Sequence, residues 1–471
     1  MVFSSLVFVC IFLPVVLILH SVIKNRKIQN GLLLAASLLF YAYGEPVYIF
    51  LVLISTLLNY LFGWWVGKSR KKIALILAVA INLGLLGVFK YTGFLMTNVN
   101  ALLGLSLPIP QISLPIGISF FTFQALSYVI DVYREEVAVQ KNYGKLLLYI
   151  SFFPQLIAGP IVRYRDVARE IDERITNTCQ IAFGLRRFIM GLGKKVLIAN
   201  AMGATADYFF NHGAANLNIL GAWIGAIAYL LQIYYDFSGY SDMAIGLGKA
   251  FGFHFKENFN HPYIASTIQE FWRRWHISLS SFFRDYVYIP LGGNRKGRFR
   301  TVLNRIIVFF LTGLWHGANW TFVVWGLFHG FFLLLEEFIP LIKKLPKFLR
   351  HIYTILTVTI GFVLFRADTI QEAGIFIGKM FAGLDFSAVP MSYAVQALTP
   401  YFFVMLLAAV LCCGPLEKLT LRVQALETKE KLSVQENRLQ IVTFVLAFLL
   451  LAWCMIRLAG GSYNPFIYFR F

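Results

Sequence analysis

Charge is what this 471-residue sequence has least of: 14% of its residues are Asp, Glu, Lys or Arg, against about 25% in soluble domains. Acidic residues are the scarcer kind, 23 against 42 basic ones. With 58% hydrophobic residues and a mean hydropathy of +0.68, this composition excludes a water-soluble globular enzyme and implies an integral membrane protein built of helices. The five cysteines (Cys10, Cys179, Cys412, Cys413, Cys454) have neither metal-ligand nor disulfide-framework spacing. No G-x-S-x-G elbow, P-loop, H-E-x-x-H or strand-borne G-x-G-x-x-G is present. No internal repeat, linker or low-complexity tract divides the chain, so residues 1–471 are read as one membrane domain.

The formal net charge of +19 fits basic cytoplasmic loops better than a nucleic-acid partner. The opening "MVFSSLVFVCIFLPVVLILH" lacks a basic leader and a small-residue cleavage site, and reads as a first span. Basic clusters at 24–27 and 68–72 bracket two apolar runs, near 31–44 and 47–67, which places both clusters on the cytoplasmic side and the N-terminus outside. From Tyr91 to Ile130 there is no charged residue, which suits an external loop followed by a return span near 114–130. "LLLYISFFPQLIAGPIVRY" carries Pro154, Gly159 and Pro160. That density breaks a helix, and broken backbone at membrane depth must be enclosed by protein. Further spans are expected near 180–205, 216–235, 352–366, 397–415 and 440–458. An amphipathic piece near 369–386 lies at the outer surface, and the C-terminus is outside.

Residues Ile306–Leu335 form a 30-residue apolar run. As one straight helix it would measure about 45 Å, against about 30 Å of hydrocarbon. Basic stretches flank both ends, so the run must enter and return, with a break near Gly317–Asn319. Two histidines lie inside it, His316 and His329. Ionisable groups at that depth mark pathways or reaction sites. On a continuous helix they would lie about 20 Å apart along the axis, and no shared metal is expected.

"FWRRWHISLSSFFRDYVYIPLGGN" shows three- and four-residue aromatic spacing, an amphipathic helix with His276 on its apolar face. Asp236, Ser238, Ser241 and Asp242 cluster in "YYDFSGYSDMAIGLGKAFGF", either lining a hydrated cavity or pairing with basic residues at a helix end. Two classes fit these residues: a membrane transferase with a buried histidine base, and a transporter with a histidine proton relay.

"FWRRWHISLSSFFRDYVYIPLGGNRKG", "GLWHGANWTFVVWGLFHG", "FFPQLIAGPIVRY" and "YYDFSGYSDMAIGLGKAFGF" together resemble the bacterial, alginate O-acetyltransferase-like branch of the membrane-bound O-acyltransferases, from one end of the chain to the other. The resemblance implies an all-α polytopic fold with about eleven spans, plus re-entrant and amphipathic helices, around a central funnel and tunnel. It makes His316 the catalytic histidine and His276 its upstream partner, with His329, Trp315, Asn319 and Asp236 in supporting places. It implies no bound cofactor and no metal. The donor would be acetyl-CoA or an acyl-carrier thioester on the cytoplasmic side of a bacterial inner membrane. The acceptor would be an exported or cell-wall polysaccharide, alginate-like first and peptidoglycan next, served by an extracytoplasmic SGNH-type partner. D-alanyl transfer to teichoic acid and a transporter are the alternatives. The closing "PFIYFRF" resembles the C-terminal tyrosine motif of this branch, which makes Tyr468 a candidate acyl relay. The residues agree: a histidine of near-neutral pKa can deprotonate a hydroxyl, and a dry site protects a thioester from hydrolysis.

Overall fold

The computed structural model describes residues 1–69, 72–382, 388–428, 433–461 and 463–465; it is helical throughout, with no strand among the described residues. The principal helices are α1 (Phe8–Val22), α2 (Arg26–Gly44), α3 (Ile49–Ser69), α4 (Lys72–Leu103), α5 (Ile118–Tyr133), α6 (Tyr143–Ser151), α7 (Thr178–Gly193), α8 (Asn200–Asn211) and α9 (Ile219–Ala250). They continue with α10 (Ile268–Arg274), α11 (Ile277–Phe283), α12 (Gly297–His316), α13 (Trp320–Phe338), α14 (Lys347–Arg366), α15 (Ile370–Phe381), α16 (Pro400–Cys413) and α17 (Val434–Ala459). Among the described residues six helices are long and apolar enough to cross a membrane: α3, α4, α9, α13, α14 and α17; α1, α5 and α16 are shorter apolar helices. Apolar side chains cover the outward face of α17, where Ile441, Val445, Phe448 and Ile456 are exposed, as a lipid-facing helix requires.

The chain forms two compact units, one of Met1–Phe188 with Asp242–Lys256 and one of Ile189–Ser241 with Glu257–Phe471. In the first, Phe3, Phe8, Phe12, Phe40 and Phe153 pack ring to ring at 4.9–6.5 Å. Asn59 on α3 and Asn82 on α4, both buried, exchange two side-chain hydrogen bonds, 3.0 and 2.8 Å. Such amide pairs fix the register of membrane helices that hydrophobicity alone would leave free to slide. The Pro154 element is broken as expected. α6 stops at Phe152, a single turn spans Phe153–Leu156, and the non-helical stretch that follows is fully buried.

Where an external loop was expected from Tyr91, α4 instead continues through a π turn at Gly87–Tyr91 to Leu103. It ends at Gly104, whose φ of +64° takes the left-handed turn that closes helices. α9 likewise outruns its expected end near 235 and carries the whole polar cluster on helix.

In the second unit the long apolar run folds back on itself at Gly317–Asn319. Asn319 caps α13, accepting from the Thr321 N–H at 3.1 Å and donating to the Asp368 carbonyl at 2.9 Å. The two arms meet closely because glycine lies at the crossing. A Cβ on Gly313 would stand 2.3 Å from the Phe322 carbonyl oxygen, and one on Gly326 2.3 Å from that of Phe309. Small residues are how membrane helices approach this near.

Candidate active site

The α12–α13 turn puts His316 at the last position of α12, 6% exposed, ringed by Trp315, Trp325 and Phe365 at 5.0–5.2 Å between ring centroids. His329 lies further along α13. Its ring, fully buried, packs against Trp272 at 5.1 Å and Trp325 at 5.3 Å. Trp325 therefore touches both histidines and separates them. Neither ring nitrogen of His329 has a hydrogen-bond partner among the described residues, and its ring forms part of the aromatic wall.

His276 was expected on a continuous amphipathic helix and is found at a break. α10 ends at Arg274, α11 begins at Ile277, and His276 between them has φ +44° and ψ +54°. Left-handed backbone is uncommon for a residue with a Cβ and costs about 1–3 kcal/mol. The fold sustains it through two attachments. The buried Glu336 carboxylate accepts from the Ile268 N–H at 2.5 Å and the Gln269 N–H at 3.2 Å, anchoring the start of α10 on α13. Asn258 grips the other side, its carbonyl accepting from the Ile277 N–H at 2.9 Å and its side chain reaching both His276 and Ser278.

This break brings His276 into the same aromatic enclosure as His316. Their ring centroids are 6.4 Å apart at 60°, with Trp315 5.8 Å from His276 and 5.0 Å from His316. Phe237 of α9 closes the His276 side at 4.6 Å. The two residues expected at the centre, His316 and His276, are thus brought together, with Trp315, expected in a supporting place, beside both. Even after subtraction of the ring radii the two imidazoles stay beyond direct hydrogen-bond reach of one another. Among the described residues no group of histidine, cysteine and carboxylate side chains is arranged to hold a metal ion.

Asp236 is placed differently. Its neighbour Phe237 touches His276, but its own carboxylate lies 2.7 Å from Lys195 Nζ in a buried ion pair. Asp242 pairs with Arg187 at 2.9 Å, so of the two readings of the polar cluster, pairing with basic residues describes both aspartates. Lys195 also donates to the Pro465 carbonyl, Asn200 donates to Asn464 Oδ1 at 3.1 Å, and Tyr463 donates to Asp207. Three polar groups on one helical stretch thereby hold residues 463–465. Tyr468 lies outside the described residues.

Sequence reasoning did not find Asn258, Ser278 or Phe365. Asn258 sits in the irregular stretch between α9 and α10, where no periodicity marks it; only its contacts across the fold reveal it.

These features define a helical membrane protein with a buried two-histidine site in an aromatic enclosure. The profile described as MBOAT, membrane-bound O-acyltransferase family, matches residues 47–370. The chain is 40% identical over 490 residues to a probable alginate O-acetylase of Pseudomonas putida, with all of both chains covered. It is 44% identical over 394 residues to the corresponding probable alginate O-acetylase of Pseudomonas aeruginosa, covering 81% of this chain and 75% of that one. It is 35% identical over 514 residues to the peptidoglycan O-acetyltransferase of Helicobacter pylori, covering 100% and 97%. The chain belongs to the membrane-bound O-acyltransferase family and is a membrane-integral O-acyltransferase.

Proposed function

We propose that this protein moves an acetyl group from a cytoplasmic thioester, acetyl-CoA or an acyl-carrier thioester, to a hydroxyl destined for an exported polysaccharide. The observation that carries the reading is the His276–His316 pair in one aromatic enclosure, joined to likeness with O-acetylating relatives along the full chain. The ring separation suits an oxygen atom between the two imidazoles. His316 takes the hydroxyl proton as the oxygen attacks the thioester carbonyl; the C–O bond forms, the C–S bond breaks, and the proton passes to the departing thiolate. His276 holds the acceptor molecule in place beside it. The aromatic enclosure keeps out water, which would otherwise compete for the acyl carbon. Trp315, Asn319 and His329 hold the enclosure in shape, and Asp236 holds the tail.

In this reading residues 1–471 act as one domain of about eleven spans around a funnel, in the bacterial inner membrane, with both termini outside. An SGNH-type partner outside completes the transfer. An alginate-like polymer is the favoured acceptor, from the Pseudomonas relatives; peptidoglycan is the second reading, from the Helicobacter relative. Deletion of the gene followed by mass spectrometry of exopolysaccharide and of cell wall separates the two: the polymer that loses its O-acetyl groups is the acceptor. His316→Ala at normal membrane level should abolish that acetylation, and retained O-acetyl groups would overturn the reading.

A further inference from the structure

Asn258 makes an unusual set of contacts for a residue in an irregular segment. Its Oδ1 accepts from the Ser278 backbone N–H at 3.2 Å and from the Ser278 hydroxyl at 2.8 Å, and lies 3.1 Å from His276 Nδ1. Its Nδ2 donates to Ser241 Oγ, 3.1 Å away on α9. A backbone N–H can only donate, so the atom facing Ser278 is the amide oxygen and not its nitrogen. An amide oxygen can only accept, so His276 Nδ1 must carry the proton that joins them. In a neutral imidazole the lone pair then lies on Nε2. That atom is buried and has no hydrogen-bond partner among the described residues, and His276 itself is 1% exposed. An unpartnered acceptor in such a place is costly unless it is used.

We infer that Asn258 is a positioning residue that locks His276 into the Nδ1–H tautomer, leaving Nε2 as the acceptor for a substrate O–H other than the one whose proton His316 takes. This rests on the two-histidine reading above and adds to it the sense of the hydrogen bond: His276 accepts and does not donate. The same residue holds the backbone break, since the Asn258 carbonyl takes the Ile277 N–H. One side chain and one carbonyl therefore fix the ring's position and its protonation together. An amide does this without placing a charge beside the ring. Wrong-tautomer variants in hydrolases retain their geometry and lose turnover, and the same signature is expected here.

The test uses the full chain in proteoliposomes, with radiolabelled acetyl-CoA as donor, an alginate oligosaccharide as hydroxyl acceptor, and release of free CoA as readout. Asn258→Leu should lower kcat on the order of 100-fold, within the range of general acid–base contributions, while KM for acetyl-CoA stays unchanged. Asn258→Asp keeps an oxygen before both Ser278 and His276 and should recover most of the loss. Nitrogen NMR of protein labelled in histidine, with the His276 signal identified by its absence in His276→Gln, should show a protonated Nδ1 and an unprotonated Nε2 in the unaltered protein. An Nε2–H signal there, or wild-type kcat in folded Asn258→Leu, overturns the inference; the NMR result decides even if the leucine variant fails to fold. Full activity in His276→Ala and His316→Ala would instead overturn the two-histidine reading itself.

Discussion

Lys195 and Asp236 form an ion pair at 2.7 Å with both side chains almost wholly buried, 4% and 1% exposed. Lys195 additionally donates to the Pro465 carbonyl, so the pair ties α9 and the π-helical segment Lys194–Ala199, just before α8, to residue 465. Removing one partner of a buried pair leaves an uncompensated charge and costs about 3–5 kcal/mol, whereas replacing both with apolar residues is far milder. Asp236→Ala should lower the thermal midpoint of the detergent-solubilised protein more than Lys195→Met combined with Asp236→Leu. Equal losses would show that the charges act separately.

The tail so anchored leads to Tyr468. As a phenol with an ordinary pKa near 10, tyrosine forms an ester that gives up its acyl group more readily than an alkyl ester. Tyr468→Phe keeps the ring and removes only the hydroxyl. It should stop polysaccharide acetylation at unchanged protein level; unchanged O-acetyl content in mass spectrometry would leave the residue an interfacial anchor.

The α12–α13 turn gives a steric prediction. Gly326→Ala places a methyl group 2.3 Å from the Phe309 carbonyl oxygen, which only separation of the two arms can relieve. Overpacking of this kind costs about 1–3 kcal/mol, and His316 sits at the end of the displaced arm. The variant should lose activity together with thermal stability, whereas Gly374→Ala, with open space around it, should change neither.

The basic segment 295–300 bears on the donor. Local positive potential concentrates a phosphate-bearing substrate. Charge reversal at Arg295, Lys296 and Arg298 should raise KM for acetyl-CoA and flatten its dependence on salt, with kcat unchanged. An unaltered salt dependence would mean that these residues serve only to orient the chain in the membrane.

His254 gives a pH signature outside the spans. Its Nδ1 lies 2.7 Å from Glu170 Oε1, and this hydrogen bond raises its pKa above the ordinary value. A raised folded-state pKa favours folding while the ring is charged in the folded protein, and that contribution is lost as pH climbs through the raised value. The stability gap between the native protein and His254→Gln should therefore be fully present below about pH 6.5, the unfolded value, and close above it. A gap independent of pH in thermal melts would assign the residue a packing role alone.

Part of this architecture is written in the sequence. Thirty apolar residues between basic flanks exceed what one crossing can bury, and Gly317 followed by the capping Asn319 marks the break, so the turn that sets His316 deep in the protein follows from length and local chemistry. The interruption at Pro154 is equally local, because proline lacks the N–H a helix needs. The extent of α4 was less legible: the twelve residues after the π turn, Thr92–Leu103, have weak signals of either kind, and none of them is buried. The break at His276 was not legible at all. Its neighbours have a sustained helical period, and locally the Ile277 N–H would bond the carbonyl four residues before it. Asn258, 18 residues from His276, takes that N–H and the ring nitrogen as well. Only the folded chain brings it there, and that non-local hydrogen bond outcompetes the local one and turns an apolar helix position into a break that sets His276 beside His316.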